Sequence, residues 1–339
     1  MIISDCGAPF WCSALVVSVC LAGACTTKSS PTEPSGPTST ASAARGTVTE
    51  SLTGAPIDGA TLSFSVNGIQ QTLTTSGGGV WQLEDGRLPG NVLVEVSAPG
   101  YLTRRTHTGS VAKNGEISFD LIRNSSPFSL EFYRQLIRNQ FEAPGNPPAL
   151  RRWTRNPAFY VNTRNPRTGQ DLSASEQELI RGIINASVAN MTGGQLAAAA
   201  VEFGSGTRAE RSGVVNVTFV NETANQFCGW SRIGSDPGAI TMNLASRCDT
   251  PCGPFAPRTL AHEVGHALGF YHVERGDILS TKWSPHECGD IALSSEEQHH
   301  ARLAYARSPG NRDTDYDPLG GLLSQSAEPP RLVECSQSR

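Results

Sequence analysis

Three of the chain's seven histidines lie in the stretch His262-Glu263-Val264-Gly265-His266-Ala267-Leu268-Gly269-Phe270-Tyr271-His272, and few backbone arrangements satisfy that spacing. Residues four apart share one face of a helix, so a helix here sets His262 and His266 side by side, able to hold one metal ion. Glu263, beside the first of them, reaches water on that ion. A catalytic zinc site takes three protein ligands and keeps one position open. His272 is the candidate third ligand, but a continuing helix would carry it away. Gly269 resolves the conflict, because glycine accepts positive φ and lets the helix end and the chain turn back. A bare HExxH occurs in many unrelated chains. The added glycine and third histidine lower the chance occurrence to about one in a hundred thousand for this composition. The expectation is one catalytic Zn²⁺ on His262, His266 and His272, with Glu263 as the base.

The rest of the chain divides by composition. Residues 1–24 read as an export signal, with an apolar, small-residue run at 13–24 too short to span a bilayer. The run ends in Ala22-Gly23-Ala24-Cys25, which resembles a bacterial lipobox and implies lipidation of Cys25. The expected location is the cell envelope, by a lipid anchor, or otherwise the medium. Residues 25–44 are mostly Ser, Thr, Pro and Ala with no large apolar side chain, as suits a flexible tether. Residues 45–123 alternate short β-rich runs with Gly, Pro and Asp turns, which predicts a small all-β sandwich. Gly46-Thr47-Val48, the run from Thr53 to Thr61 and Ser97-Ala98-Pro99-Gly100-Tyr101 make this part similar to the carboxypeptidase-regulatory or transthyretin-like domains. That resemblance implies an accessory module without catalysis; His107 stands alone in it.

Residues 128–320 read as mixed α and β. Helical periods cover 129–141 and 173–191, the second opened by the capping pair Ser173 and Glu176. Strands are expected at 158–162, 214–220 and 239–244. The motif helix begins near Pro257, and a last helix at 294–306 opens on Ser294 and Glu297. Residues 321–339 look like a loose tail. Cys228, Cys248, Cys252 and Cys288 form an even set, which in an exported chain favours disulfides, with three pairings open. The formal net charge of −4 with scattered arginines argues for no nucleic-acid partner.

The eleven-residue motif resembles the extended zinc motif of the metzincin clan of metallopeptidases. The resemblance implies a multidomain chain in which the β-sandwich precedes an α+β peptidase domain: a twisted sheet, an active-site helix and a C-terminal helix. It also implies that the strand carrying Ile240, Met242 and Leu244 is the sheet edge that pairs with an extended protein or peptide substrate; the plainer reading is a core strand. Metzincins carry a methionine turn beneath the metal. Here Leu279 of Asp277-Ile278-Leu279-Ser280 stands where that methionine is expected, since the methionines are at 1, 191 and 242. Leucine can supply the same apolar floor. The implied chemistry is peptide hydrolysis: Glu263 takes a proton from metal-activated water and returns it to the leaving amine. The rival readings are a surface binding or adhesion lipoprotein that holds zinc without cleaving, and a zinc hydrolase of non-peptide amides. Glu274 and Asp277 are candidates to orient a ligand histidine. Asp313, Asp315 and Asp317 alternate in a way that suits Ca²⁺, without the glycine and distal glutamate of a calcium loop. No segment resembles a cysteine switch.

Overall fold

The computed structural model describes residues 44–83, 88, 91–113, 116–224, 227–249, 257–280, 291–319 and 332–336. The expected signal, the lipidation site Cys25 and almost all of the tether lie outside these residues, as do Cys252 and Cys288. Ala41–Arg339 forms one compact unit.

The sandwich has strands β1 (Ala44–Glu50), β2 (Thr61–Val66), β3 (Ile69–Thr74), β4 (Val80–Leu83), β5 (Leu93–Ser97), β6 (Arg104–His107) and β7 (Phe119–Leu121). They form one sheet in the order β4-β1-β7 and another in the order β3-β2-β5-β6. Period-two alternation places Leu62 and Phe64 of β2 inside, with Val48, Trp81, Val94, Val96, Phe119 and Leu121. The β2–β3 hairpin closes on Asn67-Gly68, both at positive φ, as a two-residue hairpin turn of the primed type requires.

The second part contains α1 (Leu130–Arg138), β8 (Ala158–Asn162), α2 (Ala174–Met191), β9 (Ala200–Gly204), β10 (Val214–Val220), β11 (Phe227–Arg232), β12 (Gly238–Asn243), α3 (Pro257–Leu268), α4 (Ser295–Tyr305) and β13 (Leu332–Ser336). Its sheet runs β9-β8-β10-β12-β11-β13. The first four strands are parallel; β11 is antiparallel to β12, and β13 antiparallel to β11. Both expected capping boxes are formed, Ser173 with Glu176 and Ser294 with Glu297. α2 buries Ile180, Ile183, Ile184 and Val188, and α3 packs beside it and beneath β11 and β12. No helix among the described residues is long and apolar enough to cross a membrane.

Several expectations change here. The strand of Ile240 and Met242 is hydrogen-bonded on both sides, to β10 and β11, and both side chains are buried with Leu244. It is a core strand and not the substrate edge. The antiparallel strand beyond it is β11, whose Phe-Cys-Gly-Trp-Ser-Arg sequence carries no β-branched run to announce it. The tail is not wholly loose, because Leu332–Ser336 satisfies the outer backbone groups of β11. Cys228 pairs with Cys248, tying β11 to the turn after β12.

The three aspartates expected to suit Ca²⁺ are committed to arginines instead. Asp313 pairs with Arg134, Asp315 with Arg307 and Asp317 with Arg104. The last two pairs belong to a buried seam between the sandwich and the second part. Arg104 on β6 donates to Asp317 Oδ2 at 2.8 Å, while Arg307 donates to Asp315 Oδ1 at 2.7 Å and to Asp120 Oδ2 of β7 at 2.5 Å. The backbone joins in: Arg105 N donates to Asp315 O and Asp317 N to Arg105 O. Burial alone would raise the Asp120 carboxyl. The Arg307 and Arg104 guanidiniums outweigh it and hold Asp120 well below the usual carboxylate range. The sandwich is therefore built into the second part and is not a module on a free hinge.

Candidate metal centre

The motif helix α3 ends at Leu268, and its last carbonyls all find donors. Gly269 N donates to His266 O, Trp153 Nε1 to Ala267 O and Tyr305 Oη to Leu268 O. Gly269 sits at φ +117°, and a Cβ there would strike Arg151 O, so both conformation and space demand glycine. Beyond the turn, Tyr271 N donates to Leu136 O of α1, which fixes the path of the chain into His272.

The turn brings the three predicted ligands together. The Nε2 atoms of His262 and His266 are 2.8 Å apart, those of His262 and His272 3.1 Å, and those of His266 and His272 3.2 Å. Each Nδ1 is engaged elsewhere. His262 Nδ1 donates to Ile278 O (2.5 Å), His266 Nδ1 to Phe270 O (2.7 Å) and His272 Nδ1 to Glu142 Oε1 (2.6 Å). Carbonyl and carboxylate oxygens only accept, so the Nδ1 atoms carry the protons and three Nε2 lone pairs face one another. Lone pairs at this range repel unless a cation lies among them. Bonds of about 2 Å to one Zn²⁺ would set the nitrogens about 3.3 Å apart, close to what is seen. Burial, with the neighbouring His272, holds His262 down to about 3, and burial likewise holds His266 well below the ordinary value. Both imidazoles stay neutral, as ligation requires. This is the only such cluster of ligating side chains among the described residues.

Glu263 is fully buried beside the triad. Ser231 Oγ of β11 donates to its Oε2 at 2.7 Å. A Cβ on Gly229, two residues earlier in β11, would overlap the same carboxylate, so the strand can approach Glu263 this closely only with glycine there.

Two apolar side chains pack against the motif helix at Gly265. A Cβ on Gly265 would sit 2.7 Å from Leu279 Cδ2 and 3.0 Å from Met191 Sδ. Leu279 and Met191, at the end of α2, thus lie side by side against Gly265. Buried Glu297 of α4 holds the turn, accepting from Ile278 N and Leu279 N at Oε1 and from Asp277 N and Ser294 N at Oε2. Glu142, not Glu274 or Asp277, orients a ligand histidine; those two are fixed through their backbone amides to Gln135 and Glu297. His300 of α4 is buried against Phe128 and Phe132.

Three neutral imidazoles, a buried carboxylate beside them and an antiparallel strand alongside are the parts of a zinc metallopeptidase site. Residues 185–278 match the astacin family of peptidases, and residues 43–121 match the carboxypeptidase regulatory-like domain. No curated protein matches the chain. Two solved structures resemble it loosely. The GM1-bound form of the ECX AB5 holotoxin is 16% identical, covers 59% of this chain and 100% of its own, and has a TM-score of 0.33. Metalloproteinase-II from Bacteroides fragilis is 11% identical, covers 71% of this chain and 90% of its own, and has a TM-score of 0.29. Neither overlap is close enough to bear on function.

Proposed function

We propose that this chain is a zinc-dependent endopeptidase in which Glu263 is the general base, exported and tethered to a bacterial envelope through Cys25 or otherwise released. The observation that carries the reading is Glu263 itself: a site that only held metal would need no carboxylate beside the triad. Zinc on the three imidazoles would acidify a water and polarise a scissile carbonyl. Glu263, steadied by Ser231, takes the proton and delivers it to the leaving amine. Glu142 keeps the His272 ring and its tautomer in place. Were Leu332–Ser336 to leave it, the outer edge of β11 would offer backbone groups to an extended peptide, which favours peptides over small amides as substrates. Export is supported by the Cys228–Cys248 disulfide, a bond that persists in oxidising compartments.

The test is cleavage of a mixed peptide library by the zinc-loaded chain and by Glu263→Gln. The variant should keep its zinc and lose about 10²–10⁴-fold in rate. Equal, absent cleavage in two zinc-loaded chains would instead mark a binding protein.

A further inference from the structure

A sheet edge next to a catalytic base is where an extended peptide can add its own strand. In this chain the edge is already taken. Leu332–Ser336 runs antiparallel to β11, with Leu332 opposite Arg232, Val333 opposite Ser231, Glu334 opposite Trp230 and Cys335 opposite Gly229. Gly229 and Ser231 are the β11 residues that meet Glu263. The register therefore sets β13 against the part of the edge that borders the base. In the same conformation His262, Glu263 and His266 are 0% exposed and His272 2%.

We propose that Leu332–Ser336 is a tethered competitor for the peptide-docking edge of β11, so that the chain holds itself closed until this segment leaves. The inference rests on the peptidase reading of the site. Backbone pairing supplies most of the contact in strand addition, so a segment of ordinary sequence suffices. Its covalent tether gives it an effective concentration of about millimolar, which a free peptide must exceed or outbind.

The test uses the full chain with Val333→Pro and Glu334→Pro together, since proline removes the backbone donor and fixes φ away from the strand value. A Val333→Ala, Glu334→Ala chain keeps the backbone pairing and serves as the control. All three chains, native tail included, carry Glu263→Gln, so that the probe, a fluorescent peptide of residues 330–338, is bound and not cut. The proline chain should bind the probe about tenfold tighter than the other two, as when a segment closes the edge about nine-tenths of the time. Equal affinity in all three overturns the proposal. Amide exchange of the native chain gives a check that needs no variant. The β11 amides from Gly229 to Arg232 should be protected, and fast exchange throughout them overturns the proposal as well. With Glu263 restored, the proline chain should cleave a quenched peptide library about tenfold faster at low substrate. If the binding difference holds while no zinc-loaded chain cleaves, the tail proposal stands and the peptidase reading falls.

Discussion

The molecule contains two buried polar clusters, and they are completed in opposite ways. In the seam, Arg104, Arg307 and Arg138 meet Asp120, Asp315 and Asp317, with Asn311 carrying Arg138 into the network through a 2.5 Å bond. Cations and anions balance, and donors face acceptors. In the metal centre, His262, His266 and His272 aim three acceptors at one point. Acceptors that converge on acceptors call for a cation between them. A cluster that closes on itself is structural; one that needs a cation has a ligand to find. Charge count and donor–acceptor accounting thus separate scaffold from site, where burial alone does not.

The largest expected effect breaks the seam. Arg307→Ala leaves Asp120 and Asp315 buried without their guanidinium and should cost about 3–5 kcal/mol of stability. Chemical denaturation measures it, and zinc affinity in the fraction that still folds should hardly change. If instead stability is unaltered, the sandwich is not locked to the peptidase part as described. The metal centre is sharpened by Glu142→Gln, which keeps the shape but removes the charge that orients His272. Zinc affinity should fall about 10–100-fold by competition with a chromophoric chelator, with little change in the metal-free melting temperature.

The gentlest test is acidification of the metal-free chain, because the two clusters respond in different windows. Below about 6.5 the unfolded histidines take up protons that buried His262 and His266 refuse, so stability falls as pH falls, down to about 3 for His262. Asp120 has a depressed carboxyl, so its contribution is complete above about 3.9 and is lost only as pH drops below that. Thermal melts from pH 7 to 3 should show an early decline and then a steeper one. Asp120→Asn should flatten the late part and leave the early one.

What could be read in the sequence was whatever has a local signal. The three ligands, Glu263 and Gly269 lie within one helix and its turn, and Ser173 and Ser294 announce their helices through a glutamate three residues on. Leu279 was legible as the floor because it follows the third histidine closely. The rest is made by topology. Glu142 reaches His272 from 130 residues away and Ser231 reaches Glu263 across 32, and neither carries a pattern of its own. Met191 comes to the floor from another helix. Ala239-Ile240-Thr241-Met242 has the stronger β pattern of the two antiparallel neighbours, and that apolar strength is the mark of a strand buried between two others. Its neighbour β11 is the more polar strand, with Gly229 and Ser231 where the Glu263 carboxylate needs room and a donor.

The central claim is that the histidine cluster is a zinc site and not a satisfied core. Metal analysis of purified residues 45–339 tests it directly, with a chelator-stripped sample melted alongside. One zinc per folded chain is predicted, with a melting temperature that rises on adding the metal back, by about 2.7 kcal/mol of stability at a hundredfold excess over Kd. A properly folded chain that binds no zinc, with a melt indifferent to it, would contradict the account.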